Sequence, residues 1–223
     1  MAAFAQLAAS SLQPGEYVAE GGMGHLTLRP ARGGALAFSI ESMGGNGHMC
    51  SLEGELRNGR AVLEGLEEKL PCIVTMALTP QGVDVKGGPG GACLLHCGAR
   101  ATFEMVYFKP APACAVKAVA ATRKAFLQHY TAKQFDQARA LLESVLKECA
   151  RALDWLEIGR IRNDLAVTLH KLGEMAACRA VLQPLAEDAS LTDAGIRENY
   201  PPTDADLYLP IVRATRTNLK LCS

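Results

Sequence analysis

"NDLAVTLHKLGEMAACRAVLQPLAED", residues 163–188, decides how the second half of the chain folds. Apolar residues recur every three or four positions on both sides of Leu172-Gly173-Glu174, the spacing of one helix face followed by another. Small residues, Ala166 in the first segment and Cys178 in the second, stand where two paired helices must approach closely. The stretch therefore reads as a helical hairpin. Upstream, Phe126, Tyr130, Phe135, Ala138, Leu142, Val145 and Leu146 repeat the pattern, with a break near Thr131-Ala132-Lys133. Downstream, residues 203–222 predict a further helix that caps the stack, with Thr203 as its N-cap, Asp204 near its positive end and a kink at Pro210.

The first half cannot be built this way. Eighteen of the 21 glycines precede residue 113, and each costs roughly 1 kcal/mol in a helix interior. The boundary is placed at residues 108–114, where prolines stop a strand from continuing. This predicts an α+β chain of two domains: a small antiparallel β-barrel or sandwich over residues 15–110, then an all-α helical hairpin array over 115–223. Residues 1–14 are read as a disordered N-terminus or the remnant of a signal peptide. Ala3-Phe4-Ala5 has the small-x-small shape of a signal-peptidase site.

Within the first half, about eight short alternating segments are separated by turn residues. Asn58-Gly59 is the clearest hairpin signal, since both residues tolerate the positive φ of a type I′ turn. Leu36, Phe38 and Ile40 share one strand face, and Ala37, Ser39 and Glu41 the other. Tyr17, Phe38, Phe103 and Tyr107 supply the main aromatic mass of the expected core.

Eight cysteines, Cys50, Cys72, Cys93, Cys97, Cys114, Cys149, Cys178 and Cys222, suggest disulfides formed in an oxidising compartment. The pairing stays open, because eight cysteines allow about 105 connectivities. With Cys114 counted in the first part, five lie there and three after it, so full oxidation requires a bridge between the parts, for which Cys114 is the candidate. His48, Cys50, Cys93, His96 and Cys97 are zinc-type ligands, but their spacing matches no closed tetrahedral pattern, and no metal or other cofactor is expected. Lys86 and the glycines after it read as a surface loop, since no Lys-Ser/Thr and no helix follow as in a phosphate loop. Glu67 and Glu68 read as a solvated pair.

Formal charge is balanced, with 23 basic and 23 acidic residues, which argues against nucleic acid as a partner. No apolar run approaches the roughly 18 residues of a membrane span.

Residues 38–56, with Gly45-Asn46-Gly47-His48 and Cys50, together with residues 93–107, with Cys97-Gly98-Ala99-Arg100-Ala101, resemble exported proteobacterial lysozyme-inhibitor-like proteins. The Ser-Gly-x-x-Tyr loop that several such families insert into a lysozyme cleft is missing from this chain. In the second half, Phe135-Asp136-Gln137-Ala138 aligns with Met175-Ala176-Ala177-Cys178 at an offset of 40 residues. That pattern resembles tetratricopeptide repeats, whose usual period is about 34. The two resemblances imply a periplasmic, non-enzymatic, protein-binding protein that inhibits, or gives immunity against, a peptidoglycan-degrading hydrolase or toxin by occluding its cleft. A loop at residues 43–48 or 87–91 would enter that cleft. Asn46, His48, Arg100 and Trp155 are the candidate partner-binding residues. For the first three the local alternatives are a left-handed turn, a backbone hydrogen bond and a carboxylate pair; for Trp155 it is a contact between repeats. The rival functions are a periplasmic scaffold recruiting an envelope complex and an enzyme with a site at the domain interface.

Overall fold

The computed structural model describes residues 11–67 and 69–223, so the readings at Ala3-Phe4-Ala5 and Glu68 lie outside the described residues. The chain is α+β. Its strands are β1 Gly15–Ala19, β2 Gly24–Pro30, β3 Leu36–Met43, β4 Met49–Leu56, β5 Arg60–Glu67, β6 Leu70–Thr79, β7 Gly82–Gly87 and β8 Val106–Phe108. They form one antiparallel sheet in the order β4-β3-β2-β1-β8-β7-β6-β5. Chain neighbours pair with each other and β8 returns to β1, which curls the sheet into a nearly closed barrel. The remaining seam, between β4 and β5, is held at the hairpin. There Asn58 and Gly59 have φ of 52° and 74°, and Arg57 and Arg60 exchange backbone bonds of 2.9 and 3.1 Å.

Alternation along each strand sends one face inward. Phe38 and Ile40 are buried and Leu36 is half-buried, while Glu41 faces out. Tyr17, Phe103 and Tyr107 join Leu26, Leu28, Leu52, Val74, Val83 and Val85 in the interior, where each large aliphatic side chain contributes roughly 1.5–3 kcal/mol. The Tyr107 hydroxyl, fully enclosed, donates to the Phe103 carbonyl at 3.0 Å. At the N-terminal side, Leu12 packs against this core and the Tyr17 hydroxyl donates to the Gln13 carbonyl at 2.8 Å. The last strand, β8, is only three residues long. Before it, Cys97 is bonded to Cys50 and Ser42 Oγ donates to the Thr102 carbonyl at 2.8 Å, which draws the chain across the ends of β3 and β4 before it reaches β7, where the Val85 amide donates to the Met105 carbonyl at 3.0 Å.

The helices are α1 Val116–Thr131, α2 Phe135–Glu148, α3 Trp155–Lys171, α4 Met175–Leu182, α5 Ala186–Ser190, α6 Asp193–Asn199 and α7 Pro202–Leu221. The turns between α1 and α2 and between α3 and α4 use left-handed residues, Lys133 at φ 60° and Gly173 at φ 78°. Asp154 caps α3, its carboxylate accepting from the Glu157 amide at 2.9 Å. Between α3 and α7 a buried polar set is mutually satisfied: Asn163 Nδ2 donates to Thr215 Oγ1, and Asn218 Nδ2 to Asn163 Oδ1, each at 2.9 Å. Buried amides that bond only in one alignment set the register of the two helices.

One sequence expectation is corrected here. Thr203 is not the N-cap of α7; the helix begins one residue earlier, at Pro202, after Pro201. It runs 20 residues, with Pro210 inside it. The bridge expected from Cys114 to the second half is present, as Cys114–Cys149, but Cys114 packs with the helices, so no disulfide joins barrel to helices. The bridges are Cys50–Cys97 and Cys72–Cys93 in the barrel, then Cys114–Cys149 and Cys178–Cys222 among the helices. Cys114 lies in the helical core, so the composition boundary falls just before it and leaves an even number of cysteines on each side. Cys178 fills the small slot of α4 and is at the same time tied to the end of α7. Four bridges indicate an oxidising, extracytoplasmic setting. Among the described residues no helix is long and apolar enough to cross a membrane.

Asp188 Oδ2 accepts hydrogen bonds from both Tyr200 and Tyr208, each at 2.8 Å. Burial first, and then this carboxylate, push the Tyr200 phenol up to about 12 and raise that of Tyr208 as well. Because the folded state favours the neutral phenols, their contribution to stability is complete below the unfolded value near 10 and is lost as pH rises through 12. A phenolate absorbance titration should show these tyrosines ionising late, together with unfolding. Asp188→Asn should bring the Tyr200 ionisation to lower pH.

Candidate functional site

The two segments that carry the lysozyme-inhibitor-like motif form one packed unit. Residues 44–48 turn tightly between β3 and β4, with Asn46 left-handed at φ 61°. Gly44 lies so close to the segment after Cys97 that an added Cβ would sit 1.8 Å from the Arg100 carbonyl oxygen. In return, a Cβ on Gly98 would meet His48 Nδ1 at 2.7 Å. The Cys50–Cys97 bridge and the Gly98 amide, donating to the Met49 carbonyl at 2.8 Å, close the unit. His48, half-buried, spends its ring on Gly98 and makes no side-chain hydrogen bond among the described residues. Arg100 is exposed and has no carboxylate partner among them.

Asn46 has a different task. Its amide donates to Asp204 Oδ2 at 3.0 Å, and its Oδ1 accepts from the Thr203 amide at 3.1 Å. The first turn of a helix leaves amides without partners, and Pro201 has no side chain that can serve them. The barrel loop therefore supplies a cap for α7. Two other contacts complete the junction. An added Cβ on Gly22 would lie 2.7 Å from the Asp154 amide nitrogen. Arg151 pairs with Glu20 while its guanidinium lies 4.1 Å from the centre of the Phe108 ring. Asn46 thus ties the loop at 43–48 to the helices, while Met43, Gly45 and Gly47 stay exposed.

Trp155 begins α3 beside this junction. Its indole stacks on Tyr200 at 5.7 Å and meets the edge of Tyr208 at 4.7 Å, yet it stays 39% exposed. It serves helix packing with one face and borders an open cleft with the other.

The other candidate loop, residues 87–91, leads into a stapled segment. Residues 92–98 are fastened at two points by disulfides, Cys93 to Cys72 on β6 and Cys97 to Cys50 on β4. The Gly88 amide donates to the Ile73 carbonyl at 2.7 Å, and His96 Nε2 lies 2.8 Å from the Glu64 carbonyl oxygen, which assigns its proton to that nitrogen. Between these anchors a short turn, Ala92–His96, projects Leu94 and Leu95 into solvent, 58% and 49% exposed. Leu66 and Leu70, from the adjoining β5–β6 hairpin, are exposed as well. Leu94 and Leu95 were missed as site residues, although "CLLHC" carries a signal: an apolar pair between two cysteines, in a glycine-rich loop with no strand alternation to bury it.

All eight cysteine sulfurs are joined in pairs, so none of them is a thiolate nucleophile or ligand. Among the described residues no group of three or more His, Cys, Asp and Glu side chains is placed to hold a metal ion. No family model, curated protein or solved structure gave a significant match to this chain.

Proposed function

We propose that this is a periplasmic binding protein that occludes a peptidoglycan-degrading hydrolase, with the stapled turn at Leu94 and Leu95 as the element that enters the partner's cleft. One observation carries the reading: two large apolar side chains are held out in solvent by a turn that two disulfides make rigid. Exposed leucines add nothing to the stability of the isolated chain. A turn ordered before binding loses little entropy on complex formation, which makes it an effective anchor. The resemblance to lysozyme-inhibitor-like proteins suggests the class of partner.

Helices α1 to α4 are read as two tetratricopeptide-like hairpins. Ala138, Ala166 and Cys178 are fully buried at the expected small positions, and the second helices of the two pairs start 40 residues apart, Phe135 against Met175. In this reading the helices brace the barrel through α7 and offer a second surface.

The test is a peptidoglycan-clearing assay with muramidase, lytic transglycosylase and amidase preparations, using the wild type and a Leu94→Asp/Leu95→Asp variant. Burying two leucines is worth roughly 1.5–3 kcal/mol each, so the double variant should bind its hydrolase at least about 100-fold more weakly. Its thermal unfolding should stay within about 0.5 kcal/mol of wild type, as expected for surface positions. Equal inhibition by both proteins, or none of any class by the wild type, contradicts the proposal.

A further inference from the structure

We propose that the cleft between the barrel and the helices is a binding site for a soft monovalent metal cation of the copper(I) class, held by the thioethers of Met23, Met43 and Met49 with His25. The three methionines stand abreast. Met43 and Met49 are directly paired across β3 and β4, and the Met43 amide donates to the Met23 carbonyl at 2.9 Å. Side chains of directly opposed strand residues start about 5 Å apart, and a thioether on three rotatable bonds can swing that far. His25, on β2, pairs with Glu41 on β3 and lines the same cleft. All four residues line one open cleft of about 390 Å³, bordered on the helix side by Trp155 and Leu207.

Exposure separates these methionines from packing residues. Met76 is 4% exposed in the barrel core, whereas Met23, Met43 and Met49 are 39%, 51% and 50% exposed. The charges around them favour a cation. Glu41, Asp154 and Asp204 line the cleft against one arginine, Arg160, so its charge is net negative even though Asp154 and Asp204 also accept backbone amides. The indole of Trp155 adds a face to which a cation is attracted. Thioether and imidazole ligands select copper(I) over hard divalent ions, which prefer oxygen. With every cysteine in a disulfide, thioethers are the soft ligands left in the described chain. The ion binds and leaves without change of oxidation state. This site and the turn at Leu94 and Leu95 use different residues, so either proposal can stand without the other.

The experiment titrates the full, oxidised chain with silver(I) nitrate in chloride-free buffer and with copper(I) against a chromogenic chelator. The protein carries ¹³C-methyl methionine, its signals assigned by single Met→Leu variants, and mass spectrometry checks that all four disulfides survive. The expected result is one ion per chain, with the methyl signals of Met23, Met43 and Met49 moving together. A Met23→Leu/Met43→Leu/Met49→Leu variant should lose at least 100-fold in affinity at unchanged thermal unfolding, since leucine keeps the volume of these exposed side chains. Failure of the wild type to compete with the chelator, movement of other methionine signals instead, or equal binding by the triple variant would overturn the assignment.

Discussion

Alanine in place of Gly44 is expected to cost about 3 kcal/mol or more of stability, whereas alanine in place of its neighbour Gly45 should cost less than about 1. At position 44 the new methyl would lie 1.8 Å from the Arg100 carbonyl oxygen and 2.7 Å from the Ala101 Cα, both backbone atoms that cannot rotate away. The two segments cannot separate freely, because the Cys50–Cys97 bridge and the bond from Gly98 to Met49 fasten them. At position 45 the nearest atom is Asp204 Oδ2 at 3.9 Å, an ordinary contact. The damage at 44 should extend to the helices, since the same loop carries Asn46 to the start of α7. Urea unfolding of the two variants under non-reducing conditions measures the contrast. Similar midpoints for both would show that the close approach is not a constraint.

The second large effect is expected from Cys178→Ala/Cys222→Ala. This bridge spans 44 residues and ties α4 to the end of α7, with both cysteines fully buried. A loop of that length restricts the unfolded chain by about 4 kcal/mol in the chain-entropy account. For a chain of this size the loss corresponds to a fall in Tm of about 8–16 °C. Cys72–Cys93, which spans 21 residues, should matter less, about 3 kcal/mol. Calorimetry of the two double variants checks the order. A loss below about 1 kcal/mol on removing Cys178–Cys222 would mean that packing of α7 on α3 alone holds the helical part together.

Local pattern made the strands and helices legible. Alternation in residues 36–41, the Asn58-Gly59 turn and the small positions Ala166 and Cys178 are each set within a few residues. What escaped depends on partners distant in the chain. Asn46 was legible as a left-handed turn residue, but its service to α7 joins positions 157 residues apart. Cys114 sits at the composition boundary, and only the packing of α1 on α2 assigns it to Cys149. The methionines occur at 23, 43 and 49, a spacing without meaning until the β3–β4 register pairs Met43 with Met49 and the Met43 amide bonds the Met23 carbonyl. Leu94 and Leu95 look like core residues by type, and it is the two bridges around them that keep them outside.

The account rests on two separately stapled parts, each holding its surfaces rigid through its own bridges. Proteolysis without reduction, followed by mass spectrometry of the linked peptides, tests this most directly. The expected links are Cys50 with Cys97, Cys72 with Cys93, Cys114 with Cys149 and Cys178 with Cys222. A peptide joining a barrel cysteine to a helical one, or a free thiol at any of the eight positions, would contradict it.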